Sequence, residues 1–106
     1  MKTIYSAIQP SGIMTLGNYI GAVNNWQAMQ ADSENKCIFA LADLHTITVR
    51  QNPADLFNNS MSFYALLMAV GLDVNKSIVY LQSHVRQHSE LAWLLNCYTY
   101  VGEMSR

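Results

Sequence analysis

A short run of apolar residues, Cys37 to Ala42, constrains the fold of this chain more than any other feature. Its six residues, Cys-Ile-Phe-Ala-Leu-Ala, contain no polar side chain and follow a polar stretch, Asp32 to Asn35. A strand with one face in water alternates polar and apolar residues, whereas a strand buried on both faces of a parallel sheet is apolar throughout. The run therefore predicts a strand inside a parallel sheet that has helices on both faces.

The segments around this strand alternate between strand and helix patterns. A β-rich segment from Thr3 to Ile8 ends at a Gln-Pro-Ser-Gly cluster, and a third strand is predicted from Ser77 to Gln82. Helices are predicted from Leu16, from Asn52 and from Ser89 to Tyr100, so the order is β-α-β-α-β-α and the class is α/β. Ligands of such sheets bind beyond the carboxyl ends of the strands. A loop is predicted after the second strand, from Asp43 to about Gln51. Three loop segments are predicted at the carboxyl ends of the strands: Gln9 to Asn18, Asp43 to Thr48, and Ser83 to His88.

The predicted helices carry end signals and apolar faces. In the second helix Asn52 is a suitable N-cap, Pro53 occupies the first helical position, and Asp55 lies where the helix dipole favours a carboxylate. Gly71 stands where a C-terminal cap belongs. The first helix is predicted to bury one face at three-residue spacing: Ile20, Val23, Trp26 and Met29. The last helix has its own apolar face: Leu91, Leu94, Leu95 and Tyr98.

Composition and charge exclude several classes of protein. The chain is 51% hydrophobic and 12% charged with a net charge of −1, so intrinsic disorder is not expected. Its six basic residues are scattered along the sequence, which leaves no concentrated positive face for nucleic acid. Neither a secretory signal nor a membrane-spanning segment is found, because the longest apolar run, Phe63 to Val70, is far too short. Cys37 and Cys97 are predicted to be buried free thiols in a reducing compartment, so a cytoplasmic protein is expected.

The loop between the first strand and the first helix has the features of a nucleotide-binding turn. A helix N-terminus offers unpaired N–H groups to phosphate, and glycines at 12 and 17 allow a base or phosphate to approach the backbone. Ser11, Thr15 and Asn18 add neutral hydrogen-bond donors. The loop is neither a Walker loop nor a Gly-x-Gly-x-x-Gly fingerprint. From these residues alone, a simple glycine turn before a capped helix fits equally well.

The full string from Gln9 to Ala22, Gln-Pro-Ser-Gly-x-x-Thr-x-Gly-Asn-Tyr-x-Gly-Ala, resembles the opening of the bacterial tryptophanyl-tRNA synthetases. Thr15-Leu16-Gly17-Asn18 corresponds to the His-Ile-Gly-His signature of class I synthetases. The likeness continues through Ala42 to Val49, Gln82 to Val85 and Leu95 to Tyr100, and so covers essentially the whole chain. It implies the first β-α-β-α-β-α half of the Rossmann-like catalytic sheet of that class, within residues 1–106.

The resemblance implies a two-step ligase reaction. Tryptophan and ATP, with its Mg²⁺, give tryptophanyl-adenylate and pyrophosphate, and the aminoacyl group then passes to tRNA(Trp). Catalysis in such a reaction is positioning and charge stabilisation without a covalent nucleophile. Thr15 and Asn18 are the residues implied to be catalytic, through contacts to phosphate oxygens, and Gly17 would let adenine pack on the backbone. The ATP-binding residues implied by the likeness are Gln9, Pro10, Ser11, Gly12, Thr15, Gly17 and Asn18.

A tryptophan pocket is implied at the carboxyl ends of the first two strands, with no protein-bound metal. Its lining residues would be Tyr5, Ala7, Gln9, Ala42 and His45. Three of them depart from the family pattern, which usually has Phe, Gly and Val in place of Tyr5, Ala7 and Ala42. A further departure, Arg86, replaces the proline of the family's His-Val-Pro-x-His segment, and a less rigid turn is expected there.

The other notable side chains have simpler interpretations. His84 and His88 have a spacing that suits zinc on a helix, but no third ligand is evident. Trp26, Trp93 and the tyrosines at 98 and 100 are expected in the core. The apolar helix after Ser89 could belong to the core or to a subunit interface, and the family's dimeric state favours a homodimer interface.

Several parts of the family's enzymes have no counterpart in the sequence. These are the Lys-Met-Ser-Lys-Ser-type loop, the carboxylate that recognises the indole N–H, and the anticodon-binding helical domain. The chain is therefore expected to be an N-terminal part of the enzyme that is inactive alone. Two other interpretations remain open: an adenylating enzyme for another small molecule, and a non-catalytic binding or dimerisation domain.

Overall fold

The computed structural model describes residues 1–105 and contains one three-stranded parallel sheet. The strands β1 (Lys2–Ile8), β2 (Asn35–Leu41) and β3 (Ser77–Leu81) lie in the order β1-β2-β3. The predicted class and the parallel sense of the strands are confirmed, and β2, which contains the apolar run Cys37 to Leu41, is the central strand. Ala42 and Gln82 fall just outside the strands predicted to contain them: Ala42 follows β2, and Gln82 begins a 3₁₀ turn, Gln82–His84.

Six α-helical segments connect and follow the strands. Their bounds are α1 (Leu16–Asn18), α2 (Asn24–Ala31), α3 (Asp43–Thr46), α4 (Pro53–Ala69), α5 (Gln87–Asn96) and α6 (Val101–Met104). A π-helical turn, Tyr19–Val23, joins α1 to α2. The loop predicted from Asp43 to Gln51 is partly wrong, because its first four residues form α3.

The core lies on one face of the sheet, where α2 and α4 pack. Trp26 of α2 stacks on Phe39 of β2, with ring centroids 4.5 Å apart and planes 5° from parallel. Phe63 and Leu67 of α4 join the same buried cluster. The second face is met by α5, through a contact between Tyr80 of β3 and the helix that is described below.

The predicted face of the first helix is wrong at one position. Val23 and Trp26 are buried, but Ile20 is 59% exposed. The π turn explains the difference: the Asn24 N–H donates to the Tyr19 carbonyl, five residues back, which shifts the angular spacing of side chains. Three-residue spacing therefore does not continue through the turn.

The end signals of α4 are confirmed. The Asn52 side chain accepts a hydrogen bond from the Ala54 N–H at 3.0 Å, and Pro53 is the first helical residue. Gly71 has φ +109°, in the left-handed region that glycine adopts without a Cβ clash.

The C-terminal helical region contradicts the core predictions made for it. The predicted helix to Tyr100 ends at Asn96, and no residue of α5 is buried. Trp93 and the tyrosines at 98 and 100 are exposed, as is the Cys97 thiol, whereas Cys37 is buried as predicted. The apolar side chains of α5 therefore face solvent in this chain. The described residues pack no strand or helix over them that would make a core.

The turn before α5 has a backbone that would accept proline. Arg86 has φ −55° and follows the extended residue Val85, and within residues 1–105 its N–H makes no turn or loop hydrogen bond. We therefore expect Arg86→Pro to raise the free energy of unfolding by about 0.4–1 kcal/mol, by restricting the unfolded chain. Urea unfolding of the full-length protein measures this. A lower midpoint would show that the Arg86 side chain or N–H has a role that this backbone does not reveal.

Candidate active site

The loop after β1 turns sharply at a glycine and rests on a buried proline. Pro10 is among the fully buried side chains, and the Ser11 N–H donates to the Gln9 carbonyl at 2.9 Å. Gly12 has φ +101°, which a residue with a Cβ adopts only with strain. The predicted need for glycine at this position has a conformational cause. At Gly17, by contrast, an added Cβ would meet only the Thr15 Oγ1 at 3.6 Å.

Thr15 and Asn18 form a reciprocal capping box at the start of the helical segment. The Asn18 N–H donates to Thr15 Oγ1 at 3.2 Å, and the Thr15 N–H donates to Asn18 Oδ1 at 3.0 Å. The Thr15 hydroxyl also donates to Asn18 Oδ1, at 2.8 Å. Both residues were predicted to hold phosphate oxygens. The bonds between them were not predicted, although Thr-x-x-Asn is close to the capping-box spacing.

The capping box leaves three donors at the helix start without a partner inside residues 1–105. The Asn18 amide uses its oxygen in the box, and its Nδ2 group makes no hydrogen bond there. The N–H groups of Leu16 and Gly17 lie in the first helical turn, where no intrahelical carbonyl can accept them. Leu16 and Gly17 are both exposed. The loop thus presents an uncharged set of N–H donors, which suits an anion.

The carboxyl end of β2 lies directly beside this loop. Ile8 pairs with Leu41, and the Ala42 N–H donates to the Ile8 carbonyl at 2.8 Å. Gln9 and Ala42, two of the residues implied for tryptophan, are therefore brought together where β1 and β2 end. His45 lies further along, exposed on α3.

The remaining two predicted pocket residues lie on the sheet face opposite the core. Tyr5 and Ala7 alternate with Ile4 and Ile8, which pack in the core, so their side chains point to the other face. Tyr5 is 54% exposed. The residues predicted to bind the substrate tryptophan thus form a strip along that face and the strand ends.

Asp43 has a role that the sequence analysis did not assign. Its carboxylate is 8% exposed and accepts hydrogen bonds from the Leu44 N–H at 3.1 Å, the Ser83 N–H at 2.9 Å and the Ser83 hydroxyl. No cation within residues 1–105 pairs with it. Asp43 therefore joins the carboxyl ends of β2 and β3 and fixes the start of α3, which carries His45. The sequence feature that could have indicated this role is the position of Asp43, a polar residue directly after a buried apolar strand.

An open cleft of about 600 Å³ lies between α3, the end of β3 and α5. His45, Gln82 and His88 contribute its polar lining, and Trp93 forms part of an apolar wall. His88 also contacts the sheet: its Nε2 lies 3.0 Å from the Tyr80 hydroxyl, and the two rings are stacked with centroids 6.0 Å apart. Burial, and next a hydrogen bond with Tyr5, raise the pKa of Tyr80 to about 12.

Within residues 1–105, no three His, Cys, Asp or Glu side chains lie together as metal ligands would. Burial, with a smaller contribution from Asp32, raises the pKa of the Cys37 thiol, which disfavours the thiolate that binds metal.

Comparison with known proteins identifies the family. The sequence model of the family described as tRNA synthetases class I (W and Y) matches residues 1–106. The chain belongs to this family. Among curated relatives of this synthetase family, the tryptophan–tRNA ligase of Clostridium tetani is 50% identical over 105 residues, which are 99% of this chain and 30% of that protein. The corresponding enzyme of Caldanaerobacter subterraneus is 49% identical over 106 residues, or 100% of this chain and 32% of its own length.

Solved structures of synthetases share the fold. The tryptophanyl-tRNA synthetase of Mycoplasma pneumoniae superposes with a TM-score of 0.91 at 36% identity, covering 100% of this chain and 31% of that one. The Campylobacter jejuni enzyme complexed with ADP and tryptophan gives a TM-score of 0.88 at 32% identity, covering 100% of this chain and 32% of that one. The predicted Rossmann-like synthetase fold is confirmed. The chain spans about a third of the length of these relatives.

None of the helices in residues 1–105 combines the length and the apolar character needed to cross a bilayer.

Proposed function

We propose that the protein to which this chain belongs is a tryptophan–tRNA ligase, and that residues 1–106 form the first half of its catalytic domain. The observation that carries the proposal is the donor set at the start of α1, placed beside the end of β2 in a chain half identical to tryptophan–tRNA ligases. The rest of the catalytic domain and a helical anticodon-binding domain would lie outside these residues. We therefore expect residues 1–106 to be inactive alone.

In this proposal the loop from Gln9 to Asn18 holds ATP. The N–H groups of Leu16 and Gly17 and the Asn18 Nδ2 group would donate to phosphate oxygens, and Ser11, which is exposed, would add a hydroxyl. These donors are uncharged, so they can stabilise negative charge on the α-phosphate without trapping pyrophosphate in a strong ion pair. Mg²⁺ would arrive bound to the ATP. The bound ADP in the Campylobacter jejuni enzyme supports a nucleotide site in this fold.

The capping box gives Thr15 a second part in this proposal. By accepting the Asn18 N–H and donating to Asn18 Oδ1, Thr15 fixes the amide so that Nδ2 points away from the box. A donor held in place before the substrate arrives costs no reorganisation during the reaction. Thr15 would thus act on phosphate largely through Asn18.

Tryptophan would occupy the strip next to this loop. Its indole would lie against Tyr5 and Ala7 on the sheet face, with Gln9, Ala42 and His45 at the strand ends. Its carboxylate would then reach the α-phosphate and displace pyrophosphate, giving tryptophanyl-adenylate. Proximity of two bound substrates is itself a large source of rate enhancement. The bound tryptophan of the Campylobacter jejuni enzyme supports an amino-acid site in this fold.

The remaining partners are proposed from the family and the exposed surface. The relatives' name, tryptophan–tRNA ligase, supports a tRNA as the acceptor of the aminoacyl group. That this tRNA is tRNA(Trp) and that the protein is cytoplasmic belong to the proposal and follow from the family resemblance. A homodimer would cover the apolar side chains of α5, since Leu91, Leu94 and Leu95 are each more than half exposed. Trp93, 69% exposed, would add an aromatic anchor to such an interface.

The exchange of pyrophosphate into ATP by the full-length protein tests the proposed function. We expect exchange to depend on tryptophan, with tyrosine at the same concentration giving a rate at least about 10³-fold lower, because a pocket shaped for indole leaves the phenol hydroxyl unpaired. Residues 1–106 alone are the matched control and should give no exchange. Exchange that tyrosine supports as well as tryptophan would contradict the assignment.

A further inference from the structure

A small cavity lies behind the loop proposed to hold ATP, where this loop meets α3, α4 and the segment between them. Its volume is about 120 Å³, and Pro10 and Leu56 supply its apolar part. The rest of its lining is polar and uncharged: Gln9, Ser11, Thr46, Gln51 and Asn59. Such a lining suits neutral molecules that donate and accept hydrogen bonds, because an ion taken out of bulk water needs an opposite charge nearby.

Asn59 brings an amide to this cavity from α4. It directly precedes Ser60, which is buried, so it lies at the edge of the helix face that packs in the core. The helix is held at its start by the Asn52 cap and further along by the buried side chain of Phe63. The Asn59 amide therefore stands on a fixed element beside a loop that has to keep one conformation to bind a nucleotide.

The protein itself uses only part of the hydrogen-bonding capacity around the cavity. The Gln51 Nε2 group donates to the Thr46 carbonyl at 3.4 Å, which leaves the Gln51 amide oxygen as an acceptor. Within the described residues, no protein group makes a hydrogen bond with the Asn59 amide or the Ser11 hydroxyl. A water molecule takes up about 30 Å³ in the liquid and needs roughly two to four polar partners, so this volume and lining suit a few bridging waters.

We propose that Asn59 is a positioning residue for the ATP loop, and that it acts on Ser11 through a bridging water in this cavity. The proposal rests on the proposed function for its ligand. The Asn59 Nδ2 group would donate to the water, and the water would donate to Ser11 Oγ. The Ser11 O–H is then directed away from the cavity, where it can donate to a phosphate oxygen.

This arrangement would give α4 a part in binding ATP without a direct contact. A serine hydroxyl rotates freely about its C–O bond unless its oxygen is held by a partner. A bridging water costs little entropy and is nearly as favourable in enthalpy as a direct hydrogen bond. By holding the Ser11 oxygen before ATP arrives, Asn59 would reduce the ordering that binding requires.

Pyrophosphate exchange by the full-length protein, at varied ATP and varied tryptophan, tests this role. Asn59→Leu removes the amide but keeps a side chain of similar size and a good helix former, so the protein should stay folded. Its KM for ATP should rise about fivefold, the loss expected for one water-mediated hydrogen bond, while the KM for tryptophan stays within about twofold. In Asn59→Ser, a hydroxyl and one additional water can replace the amide, and the KM for ATP should recover to within about twofold of the wild type.

The matched control is Asn58→Leu. Asn58 is the preceding residue of α4, is exposed and does not line the cavity, so its replacement should leave both KM values unchanged. An unchanged KM for ATP in Asn59→Leu would overturn the proposal. So would an equal rise in Asn58→Leu, or equal rises in the KM values for ATP and tryptophan in Asn59→Leu, since these would indicate a general effect on the fold.

A crystal structure of the full-length protein without substrates separates this inference from the proposed function. The wild type and Asn58→Leu should each show an ordered water within hydrogen-bonding distance of the Asn59 amide and Ser11 Oγ, and Asn59→Leu should show none between these positions. A wild-type cavity without such a water would refute the bridge whatever the substrate. Wild-type protein without tryptophan-dependent exchange, but with the bridging water in place, would refute the proposed function alone.

Discussion

Replacing Asp43 by alanine is expected to lower the free energy of unfolding by about 3 kcal/mol, because hydrogen bonds to a charged group contribute about 1.5–3 kcal/mol each. The Asp43 carboxylate accepts the N–H and the hydroxyl of Ser83 from the end of β3, and the Leu44 N–H at the start of α3. Without the carboxylate, the turn after β3 loses its hydrogen bonds to the start of α3. Urea unfolding of the full-length protein, followed by circular dichroism, measures the change.

Two matched variants separate the parts of this effect. Ser83→Ala removes only the hydroxyl and should cost about 1 kcal/mol, whereas Asp43→Asn keeps an acceptor for the Ser83 N–H and should fall between the two. Because Asp43 also fixes the helix that carries His45, Asp43→Asn should raise the KM for tryptophan more than the KM for ATP. An Asp43→Ala protein as stable as the wild type would show that the Ser83 contact contributes nothing to the fold.

Changing Asn18 to aspartate is expected to reduce kcat/KM for ATP by about 10²–10³-fold, which is the loss usually seen when one preorganised donor to a developing charge is removed. The substitution keeps the oxygen that accepts the Thr15 N–H and hydroxyl, so the capping box should remain. It replaces the free Nδ2 donor with a negative charge at the proposed phosphate site. Pyrophosphate exchange at varied ATP concentration measures the effect.

The control for Asn18→Asp is Thr15→Ser, which keeps the hydroxyl that caps the helix and should stay within about threefold of the wild type. Thermal unfolding should be nearly unchanged in both variants, because an aspartate near a helix N-terminus is not unfavourable. A large drop in stability in Asn18→Asp would mean that the amide has a structural role. Unchanged kcat/KM for ATP would mean that Asn18 does not meet phosphate.

The strands could be predicted from the sequence because each is short, rich in β-branched, aromatic or other apolar residues, and bounded by polar or turn residues. The ends of α4 followed from Asn52, Pro53 and Gly71, since capping depends on local chemistry. The apolar three-residue spacing predicted a buried Ile20, and this prediction failed. The π turn changes the angular spacing of side chains along the helix, and a three-residue pattern in the sequence does not reveal such a turn. The core prediction also failed for Trp93 of α5 and for the tyrosines at 98 and 100, which are exposed because the described residues build no core around them.

Only part of the site could be predicted, because several of its contacts join segments that are far apart in the sequence. The loop from Gln9 to Asn18 and its place beside the end of β2 follow from local sequence and from the topology of parallel sheets. The Asp43 contact with Ser83 and the Tyr80 contact with His88 depend on strand register and helix placement, and neither is encoded by spacing along the chain. Contacts between distant segments are the part that required the structure.

Adenylate formation by the full-length protein tests whether the loop from Gln9 to Asn18 holds ATP while tryptophan is activated. Wild-type and Asn18→Asp proteins would be incubated with tryptophan, ATP and Mg²⁺ without tRNA, and the enzyme-bound product would be identified by mass spectrometry. We expect tryptophanyl-adenylate near one equivalent per active site on the wild-type protein and almost none on the folded variant. Equal amounts on both proteins, or no tryptophanyl-adenylate on the wild type, would contradict the claim that this loop holds ATP while tryptophan is activated.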